Sequence, residues 1–585
     1  MRKRAFFCGA GALIIVGGFL VAAGLIIQLV VFPAILKHTV KKNLVLGLKK
    51  DGELNDFAND WLNSNFTVKM QYYIWNYTNA IEIVDRGMKP DAYQVGPYSY
   101  SQKNEYIYSS DSWKNDSNYF EYIEKSYYFF DPETSCAGCD PDKDYVRVPD
   151  PVFFTFMNIL SPILGNLSQA LSPLFGSPQA GDDILKFFSI LFFGFKVDPI
   201  VTVKVSDLLF NGFKSPVIEM AETILKIAYP DDNITMFDKI LFALNSNNGT
   251  INNTYYYTIN TGKSNYKDVG KVVQMRNPDG TGLSNTMPRQ WWNGTNSDAC
   301  PSRDFAIKFR GTNGDFFAPF IKKTDVLSAY IEDVARSIDF KFYQKSKVKD
   351  IDTYQFTLDP SNFDYSNPEN CGYCQQQSYN LFGLNLNVNS TPCLPKGILD
   401  IGGKETNGSN PLVHVMLSLP NFLDADDVIL KWFPRAKPDP SEHLTTLDIE
   451  PTTGSVLRAN KRLQISIAGG AVNETVFRIV PSGVYPIAWI NNSYLADDKT
   501  IKNLKDDLIT PKKIVRLVSY IVGVGFGSLL ILIGVGALLI RRSSSKSKNK
   551  SSTPAATNDR HSPDIGSFRY TGEFGDSNLR KRTQN

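Results

Sequence analysis

Two cysteines three residues apart form the pattern in this sequence that most resembles a reactive site. Cys136 and Cys139 have the spacing that is used for zinc ligation, for thiol–disulfide exchange and for a short local disulfide. A zinc site needs further ligands, and no second cysteine pair or histidine cluster lies nearby in the sequence. We therefore expect a local disulfide here and no bound metal.

The acidic residues that follow these cysteines imitate the start of a calcium-binding loop. Asp140, Asp142 and Asp144 alternate as the first ligands of such a loop do. Tyr145 stands where the loop needs a glycine, and Pro151 stands where it needs a glutamate. The pattern therefore indicates a solvated acidic turn and not a cation site.

Side chains for hydrolytic catalysis are sparse. The chain contains four histidines, His38, His414, His443 and His561, and it contains neither G-x-S-x-G nor H-E-x-x-H. His443 lies in a strand-and-turn block, where we interpret a single histidine as structural. We expect a protein that is not an enzyme and needs no cofactor, and the alternative that stays open is a hydrolase built on carboxylates alone.

The charge balance argues against one class of partner. Lys and Arg total 62 and Asp and Glu total 59, so the 585-residue chain has a formal net charge of +3. Nucleic-acid binding depends on basic residues that neutralise phosphates, and this chain has no such excess. We expect no nucleic-acid partner.

Two long apolar runs near the ends of the chain determine on which side of a membrane the residues discussed above lie. Residues 5–32 and 517–540 each exceed the ~20 residues that cross the hydrocarbon layer. Basic residues at 2–4 and 541–542 flank their outer ends, which marks the cytoplasmic side. We predict two membrane helices, a cytosolic segment 1–4, a disordered cytosolic tail 541–585, and an ectodomain 33–516 on the opposite side. A cleaved signal peptide is the alternative for the first run, but it lacks a small-residue cleavage site at its end.

The segment between the spans has the features of a glycoprotein in an oxidising compartment. Six of the seven cysteines lie there, where disulfides persist. Twelve N-x-S/T sequons also lie there, at Asn65, Asn76, Asn115, Asn166, Asn233, Asn248, Asn252, Asn293, Asn389, Asn407, Asn473 and Asn491. We expect a glycan-coated ectodomain.

The spans themselves carry two further features. Cys8 lies at the cytosolic edge of the first span, where it is either a palmitoylation site or a buried thiol. Gly523 and Gly527 form a small-xxx-small pair in the second span. Such a pair suits packing on the first span or on another copy of the chain, so a homo-oligomer is one expectation.

The most apolar part of the ectodomain lies within residues 151–227. Two helical stretches there are rich in aromatic and aliphatic residues and are separated by the polar turn at 176–181. Core helices are one interpretation. A third membrane span is disfavoured because Pro162, Asn166, Gln169 and Pro173 interrupt the run. An exposed apolar face at this point would be a binding surface.

Short motifs spread over nearly the whole ectodomain resemble the class B scavenger receptor family. They are W-N-Y-T-N at 75–79, G-M-K-P at 87–90, G-P-Y-S-Y at 96–100, L-D-I-E-P-T-T-G at 447–454 and K-R-L-Q at 461–464. The resemblance implies an α+β ectodomain that is mainly an antiparallel β-barrel, with a helical bundle at its apex and an apolar tunnel, anchored by two transmembrane helices.

The same resemblance implies the function. We expect a scavenger-type receptor that binds lipids, lipoproteins or microbial surfaces and passes lipid through the tunnel toward the membrane. The alternative, taken from the family's lysosomal member, is a sorting receptor for a soluble lysosomal enzyme. A lysosomal or endosomal membrane is the expected location and the plasma membrane is the alternative.

Residues of the apical region would form the ligand site by this resemblance. They are Phe153, Phe154, Phe156, Met157, Ile163, Leu164, Phe187, Phe188, Leu191 and Phe192. The family's lysosomal member uses an apical histidine as a pH switch, and this chain has no histidine between His38 and His414. Apolar side chains suit an acyl chain better than a charged protein, so lipid capture ranks above enzyme sorting.

Two expectations concern the second half of the ectodomain. The resemblance implies the disulfides Cys300–Cys371 and Cys374–Cys393, while a further bridge of the family is missing at both ends, at Ala335 and near Gly402. Thr324 predicts the N-cap of a helix with one apolar face. That face would contain Val326, Leu327, Tyr330, Ile331, Val334 and Ile338.

Overall fold

The chain forms two compact units, each built from segments that are contiguous in space. A computed structural model describes residues 2–63, 67–156, 190, 193–228, 249, 255–292, 303–374, 393–402, 414–469 and 480–548. The terminal unit consists of Met1–Phe32 with Ile514–Asn585, and the central unit consists of Pro33–Lys513.

Two long helices dominate the terminal unit and continue into the central one. The first runs as Arg2–Ile26, a π-helical turn Ile27–Val31 and Phe32–Asn43. The second runs from Asp498–Leu504 through Lys505–Ile509, Thr510–Val518 and Ser519–Phe526 to Gly527–Lys548. Each contains a stretch long and apolar enough to cross a membrane. Large apolar side chains such as Phe19 and Ile540, each 72% exposed, require a lipid environment.

Glycines allow the two membrane helices to pack closely on each other. A Cβ atom on Gly24 would lie 2.7 Å from the Cα atom of Gly523, and one on Gly17 would lie 2.5 Å from the carbonyl oxygen of Gly527. Side chains larger than hydrogen do not fit at these crossings. Gly523 and Gly527 therefore pack on the first span, which was one of the two expectations for this pair, and a homo-oligomer stays a prediction.

The central unit is built on one large antiparallel sheet. The strands of the unit are β1 Val68–Tyr77, β2 Ala92–Ile107, β3 Trp113–Lys114, β4 Tyr119–Phe130, β5 Tyr145–Pro149, β6 Ile200–Lys204, β7 Tyr256–Asn260, β8 Val272–Arg276, β9 Leu327–Ile331, β10 Arg336–Val348, β11 Ile351–Leu358, β12 Ile398–Asp400, β13 Val415–Ser418, β14 Thr446–Ile449, β15 Val456–Gly469 and β16 Gly483–Leu495. The order in the large sheet is β8-β7-β4-β2-β1-β16-β15-β14-β11-β10-β9, with β3, β12 and β13 attached to the side. The separate pair β5–β6 forms a small second sheet.

A short segment at Thr312 joins the two edges of this sheet. Thr312 pairs with Lys271 at the start of β8 on one side and with Ala329 of β9 on the other. Its backbone N–H donates to the Ser328 carbonyl at 3.0 Å, and its carbonyl accepts from the Tyr330 N–H at 2.8 Å. The sheet is therefore nearly closed into a barrel, and the predicted mainly antiparallel α+β architecture is confirmed.

Short helices fill the connections of the central unit. The α-helices among its described residues, apart from the extensions of the membrane helices, are Asp56–Leu62, Ala80–Arg86, Pro216–Ala228, Arg303–Ala306, Asp427–Trp432 and Pro440–His443, together with a helical stretch at 151–156. Of the predicted apical region, the described part thus contains helices and strand β6. The stretch 157–189 lies outside the described residues.

The predicted helix after Thr324 is wrong. The structure has β9 at Leu327–Ile331, one 3-10 turn at Glu332–Val334, and β10 from Arg336. Leu327 and Ala329 are buried with the partly exposed Ser328 between them, which is the period of a strand, and Tyr330 is buried as well. The apolar spacing fitted a helix by coincidence, and pairing with β10 and Thr312 decided the local structure.

The motif D-I-E-P-T-T-G forms a turn that anchors a neighbouring loop. The buried Glu450 carboxylate accepts hydrogen bonds from the N–H groups of Thr452 and Thr453, at 3.1 and 2.8 Å. Gly454 adopts a φ of 79°, and a Cβ atom there would lie 2.1 Å from the Phe317 carbonyl oxygen. The motif therefore requires glycine for two reasons, its left-handed backbone and its contact with Phe317.

We expect Gly454→Ala to destabilise the protein clearly more than Gly52→Ala. Both glycines have a positive φ, but nothing lies within 4 Å of a Cβ atom on Gly52. The backbone cost of about 1 kcal/mol is common to both variants, and the clash with Phe317 adds about 1–3 kcal/mol only in the first. Thermal unfolding of the full chain in detergent measures the difference. Equal midpoints for the two variants would contradict the contact.

We expect Gly523→Leu to separate the membrane helices and Gly536→Leu to leave them together. A Cβ atom on Gly523 would lie 2.6 Å from the Cα atom of Gly24, whereas nothing lies within 4 Å of one on Gly536. Both substitutions add the same apolar surface, so lipid partitioning is matched. Energy transfer between fluorophores at the two termini of the full chain in lipid nanodiscs should fall only for Gly523→Leu.

Candidate barrel cavity

Strand register identifies the side chains that face the interior of the barrel. Side chains alternate between the two faces of a strand, so Phe120, Tyr122 and Glu124 of β4 point the same way. Phe120 and Tyr122 belong to a buried cluster that also draws residues from β7, β9, β11 and β14. A cluster drawn from strands all around a nearly closed sheet lies inside it. Glu124 therefore faces the barrel interior, opposite Tyr106 of β2.

A lysine from the other side of the sheet faces the same interior. Lys461 of β15 lies between Ala459 and Leu463, which both pack against the interior cluster. Its ammonium group forms an ion pair with Asp333 in the turn between β9 and β10. The side chains of Lys461 and Asp333 keep 34% and 63% of their surface accessible. Accessible surface on inward-facing groups indicates a cavity, which we call the barrel cavity.

Electrostatics supports this position of the groups. Burial, together with the negative charges of Asp315 and Glu332, raises the pKa of Glu124 from 4.5 to about 8, although the positive charge of Lys461 opposes the rise. The Glu124 side chain is nevertheless partly accessible. A group that is desolvated by surrounding protein and still has accessible surface lies on the wall of an internal cavity.

Aromatic side chains close one part of the cavity around Asp315. The Asp315 carboxylate accepts hydrogen bonds from Trp61 Nε1 at 2.9 Å and from the Tyr106 hydroxyl at 3.2 Å. The Trp61 ring lies 5.0 Å from the ring of Tyr106 and 5.6 Å from that of Phe316. Burial raises the pKa of Asp315, and these hydrogen bonds oppose the rise. We call this group the aromatic cap.

The remaining wall of the cavity is mostly apolar. Several inward-facing apolar residues of neighbouring strands are only partly buried although they pack against the core clusters. They are Tyr128 and Phe130 of β4, Leu463 and Ile465 of β15, and Ile490 and Tyr494 of β16. The cavity thus combines an apolar wall with the polar groups Glu124, Asp333 and Lys461, and that combination suits an amphipathic ligand.

The described apical residues take up positions in the core. Phe153 and Phe154 are 4% and 2% exposed, and the Phe154 ring lies 4.8 Å from that of Tyr485. Phe156 is partly buried against the same core cluster. Phe153 and Phe154 therefore offer no face to a ligand arriving from solvent. The other predicted apical residues, Met157, Ile163, Leu164, Phe187, Phe188, Leu191 and Phe192, lie outside the described residues.

The structure forms two of the expected disulfides directly. Cys136 is bonded to Cys139 and Cys374 is bonded to Cys393. Cys371 is also disulfide-bonded, but Cys300 lies outside the described residues, so their pairing stays a prediction. Cys8 is a free thiol with an exposed side chain. The interpretation of Cys8 as a buried thiol is wrong, and its palmitoylation stays a prediction.

Three of the twelve sequon asparagines lie in the described part of the chain. Asn115 is exposed in a turn with a φ of 48°, as a glycan acceptor requires. The side-chain amide of Asn76 donates to the Tyr93 hydroxyl at 2.8 Å, and that of Asn491 donates to Gln71 at 3.1 Å. Glycosylation of Asn76 or Asn491 would require the side-chain amide to give up this hydrogen bond.

Neither the acidic turn nor His443 forms a reactive site. Asp144 accepts from the Tyr98 hydroxyl at 2.9 Å, and Asp140 pairs with Lys143 at 2.7 Å. The His443 ring is buried, and its Nδ1 accepts from the Asp439 N–H at 2.8 Å. Burial lowers the pKa of His443. These groups stabilise local structure, and the described residues contain no cluster that could hold a metal ion.

Sequence reasoning missed the polar groups of the barrel cavity. Glu124 occupies an inward position in the run Y-F-E-Y-I-E-K-S-Y-Y-F-F, so its alternation with Phe120 and Tyr122 was a usable signal. Asp333 and Lys461 are 128 residues apart in sequence, and no local pattern connects them. Only the closed sheet brings them together.

Comparison with known proteins agrees with this architecture. The sequence matches the CD36 family over residues 15–538. An uncharacterized protein of Caenorhabditis elegans is 34% identical over 567 residues, which are 92% of this chain and 98% of that protein. Sensory neuron membrane protein 1 of Antheraea polyphemus is 26% identical over 542 residues, 89% of each chain. The protein of the same name from Apis mellifera is 28% identical over 545 residues, 91% of this chain and 92% of that protein.

The fold and the cavity define a membrane receptor whose central barrel lies between two spans in sequence. This chain belongs to the CD36 family, and the resemblance to the class B scavenger receptors is confirmed. Members of this family are receptors rather than enzymes.

We expect the stability of the protein to depend on pH through Glu124. Between pH 4.5 and about 8 the folded state retains a proton that the unfolded state releases, so the free energy of unfolding falls as the pH rises. Glu124→Gln removes this loss. Relative to wild type, the variant should therefore gain roughly 2 kcal/mol between pH 5 and pH 8, a figure discounted for water in the cavity.

Chemical unfolding of the full chain at both pH values measures this effect. Glu133→Gln, at an exposed position, serves as the matched control. The groups that face Glu124 and titrate or carry charge, namely Asp315, Glu332, Asp333 and Lys461, remain unchanged in both variants. An identical pH profile for Glu124→Gln and wild type would contradict the placement of Glu124 in a desolvated wall.

Proposed function

We propose that this chain is a lipid receptor that takes a single amphipathic lipid into the barrel cavity and passes it toward the membrane. The observation that carries the proposal is the mixed wall of the cavity. Leu463, Ile465 and Tyr128 supply apolar surface, and Glu124, Lys461 and Asp333 supply polar groups on the same interior face. A lipid has both kinds of surface in one molecule.

The apolar wall provides the main binding energy. Burying one aliphatic or aromatic side-chain equivalent contributes about 1.5–3 kcal/mol, so a few contacts along an acyl chain give useful affinity. The polar groups then orient the ligand. Lys461 and Asp333 form an ion pair that neutralises both charges. A lipid head group can bind to this pair without leaving an isolated charge in the interior.

The predicted apical residues other than Phe153 and Phe154 act in capture under this proposal. Phe187 and Phe192, among others, would form the apolar surface on which a lipid or lipoprotein first lands, before transfer to the barrel. Enzyme sorting ranks second because the apical region contains no histidine. A glycosylated ectodomain in a lysosomal or endosomal membrane remains our expected setting, and the plasma membrane is the alternative.

We expect Leu463→Trp to reduce binding of a fluorescent long-chain fatty acid by the full chain at least about tenfold, because the indole fills the space along the cavity wall. Asn460→Trp adds the same side chain to the opposite face of β15 and is the matched control. Titration in detergent at pH 7 measures both affinities. Phe187→Asp combined with Phe192→Asp tests the capture step in the same assay.

The outcomes separate the two parts of the proposal. A loss with Leu463→Trp and not with Asn460→Trp supports the cavity as the site. Equal affinities for Leu463→Trp and wild type would overturn the cavity, whatever the apical variant does. A loss confined to the apical variant would assign the whole site to the apex.

A further inference from the structure

A second cavity lies at the barrel closure and has a different chemistry. It has a volume of about 790 Å³ and is lined by the loop around Phe317–Ile321, by Thr312 and by the start of β9. Its charged lining groups are Lys37, Lys267, Lys271, Lys322 and Asp325. We call it the lysine pocket.

Positive charge dominates the lysine pocket. The Asp325 carboxylate, its one lining acid among the described residues, accepts from the Lys322 backbone N–H at 2.8 Å. Lys271 is paired with Asp268 at 2.7 Å. Lys37, Lys267 and Lys322 are exposed and add charge that the lining acid does not balance. The pocket therefore favours an anion.

The floor of the lysine pocket is apolar. Phe317, Phe320, Ile321, Val326 and Leu327 line it. Val326 is 52% exposed, and the ring of Phe320 lies 6.3 Å from that of Tyr266. Free inorganic anions gain nothing from such a floor, whereas an anionic lipid gains from both the floor and the lysines.

Residues of the central unit that adjoin both spans in sequence are connected to the lysine pocket. Lys37 follows Phe32, the last residue of the first predicted span, by five residues of continuous helix, or about 7.5 Å. On the other side, Lys512 precedes the second span and its ammonium group donates to the Thr452 hydroxyl at 3.3 Å. The Thr452 carbonyl accepts from the N–H of Phe320 in the pocket floor. Residues adjoining both spans are thus tied to this pocket.

We propose that the lysine pocket binds the head group of an anionic phospholipid drawn from the adjoining membrane leaflet. Lys267 and Lys322 contact the phosphate and carboxylate groups, and the glycerol and upper acyl carbons lie on Phe320 and Val326. The site is separate from the barrel cavity and does not depend on the proposed lipid transfer. It makes the protein sensitive to the composition of its own membrane.

A photoreactive phosphatidylserine tests the proposal on the full chain in phosphatidylcholine nanodiscs. The expected result is labelling of peptides from 255–292 and 303–328, in excess over an equivalent photoreactive phosphatidylcholine. Lys267→Glu combined with Lys322→Glu should reduce this labelling by about tenfold or more, because two attractive charges become repulsive near an anionic head group. Lys103→Glu combined with Lys437→Glu makes the same change of net charge at exposed positions elsewhere and should leave the labelling unchanged.

Further arms decide between the remaining explanations. Lys267→Gln combined with Lys322→Gln should give an intermediate loss, which guards against misfolding of the charge-reversed variant. Competition by millimolar inorganic phosphate would point to a soluble anion and overturn the lipid assignment. Equal labelling by the two lipids, or equal loss in the control variant, would overturn the site. Leu463→Trp, which tests the barrel cavity, should leave phosphatidylserine labelling of these peptides intact.

Discussion

The hydrogen bonds on either side of Thr312 hold the central unit closed. Without them, β8 and β9 would be free edges with unpaired N–H and C=O groups. The contact is so close that a Cβ atom on Gly311 would lie 1.7 Å from the Ser328 carbonyl oxygen. Closure converts one face of a long sheet into an interior, and the core cluster, the barrel cavity and the aromatic cap all exist because of it.

Closure of the sheet also determines the pKa values and the pairing of the titratable groups inside the barrel. Burial raises the pKa of both the Glu124 and the Asp315 carboxyl, and the negative charge of Asp315 adds to the rise at Glu124. Lys461 and Asp333 remain tolerable there because they are paired. Burying these polar groups in an interior without a ligand costs free energy. The same groups can bind the polar part of a ligand whose apolar part contacts the rest of the wall.

An aromatic and cationic cluster stands where the family resemblance implies a further disulfide. The Ala335 carbonyl accepts from Trp292 Nε1 at 3.0 Å, and the guanidinium of Arg336 lies 3.6 Å from the ring centre of Tyr373. Arg336 also donates to Asn370 at 3.1 Å and is almost fully buried. Tyr373 lies in sequence between Cys371 and Cys374, each of which forms a disulfide with another cysteine. The cluster is therefore next to both disulfides.

Sequence alone determined the features that depend on local composition. Two apolar runs, the alternation of β1, β2 and β15, and the glycine of the D-I-E-P-T-T-G turn are each readable within a few residues, because hydropathy, period and backbone freedom are local properties. The position of Glu124 was readable in the same way. The structure decided what depends on distant partners: β9 in place of the helix predicted from Thr324, the pairing of Lys461 with Asp333, the burial of Phe153 and Phe154, and the contact of Gly523 with Gly24. Each of these arises from strand pairing or helix packing between segments far apart in the chain, and no short window of sequence contains both partners.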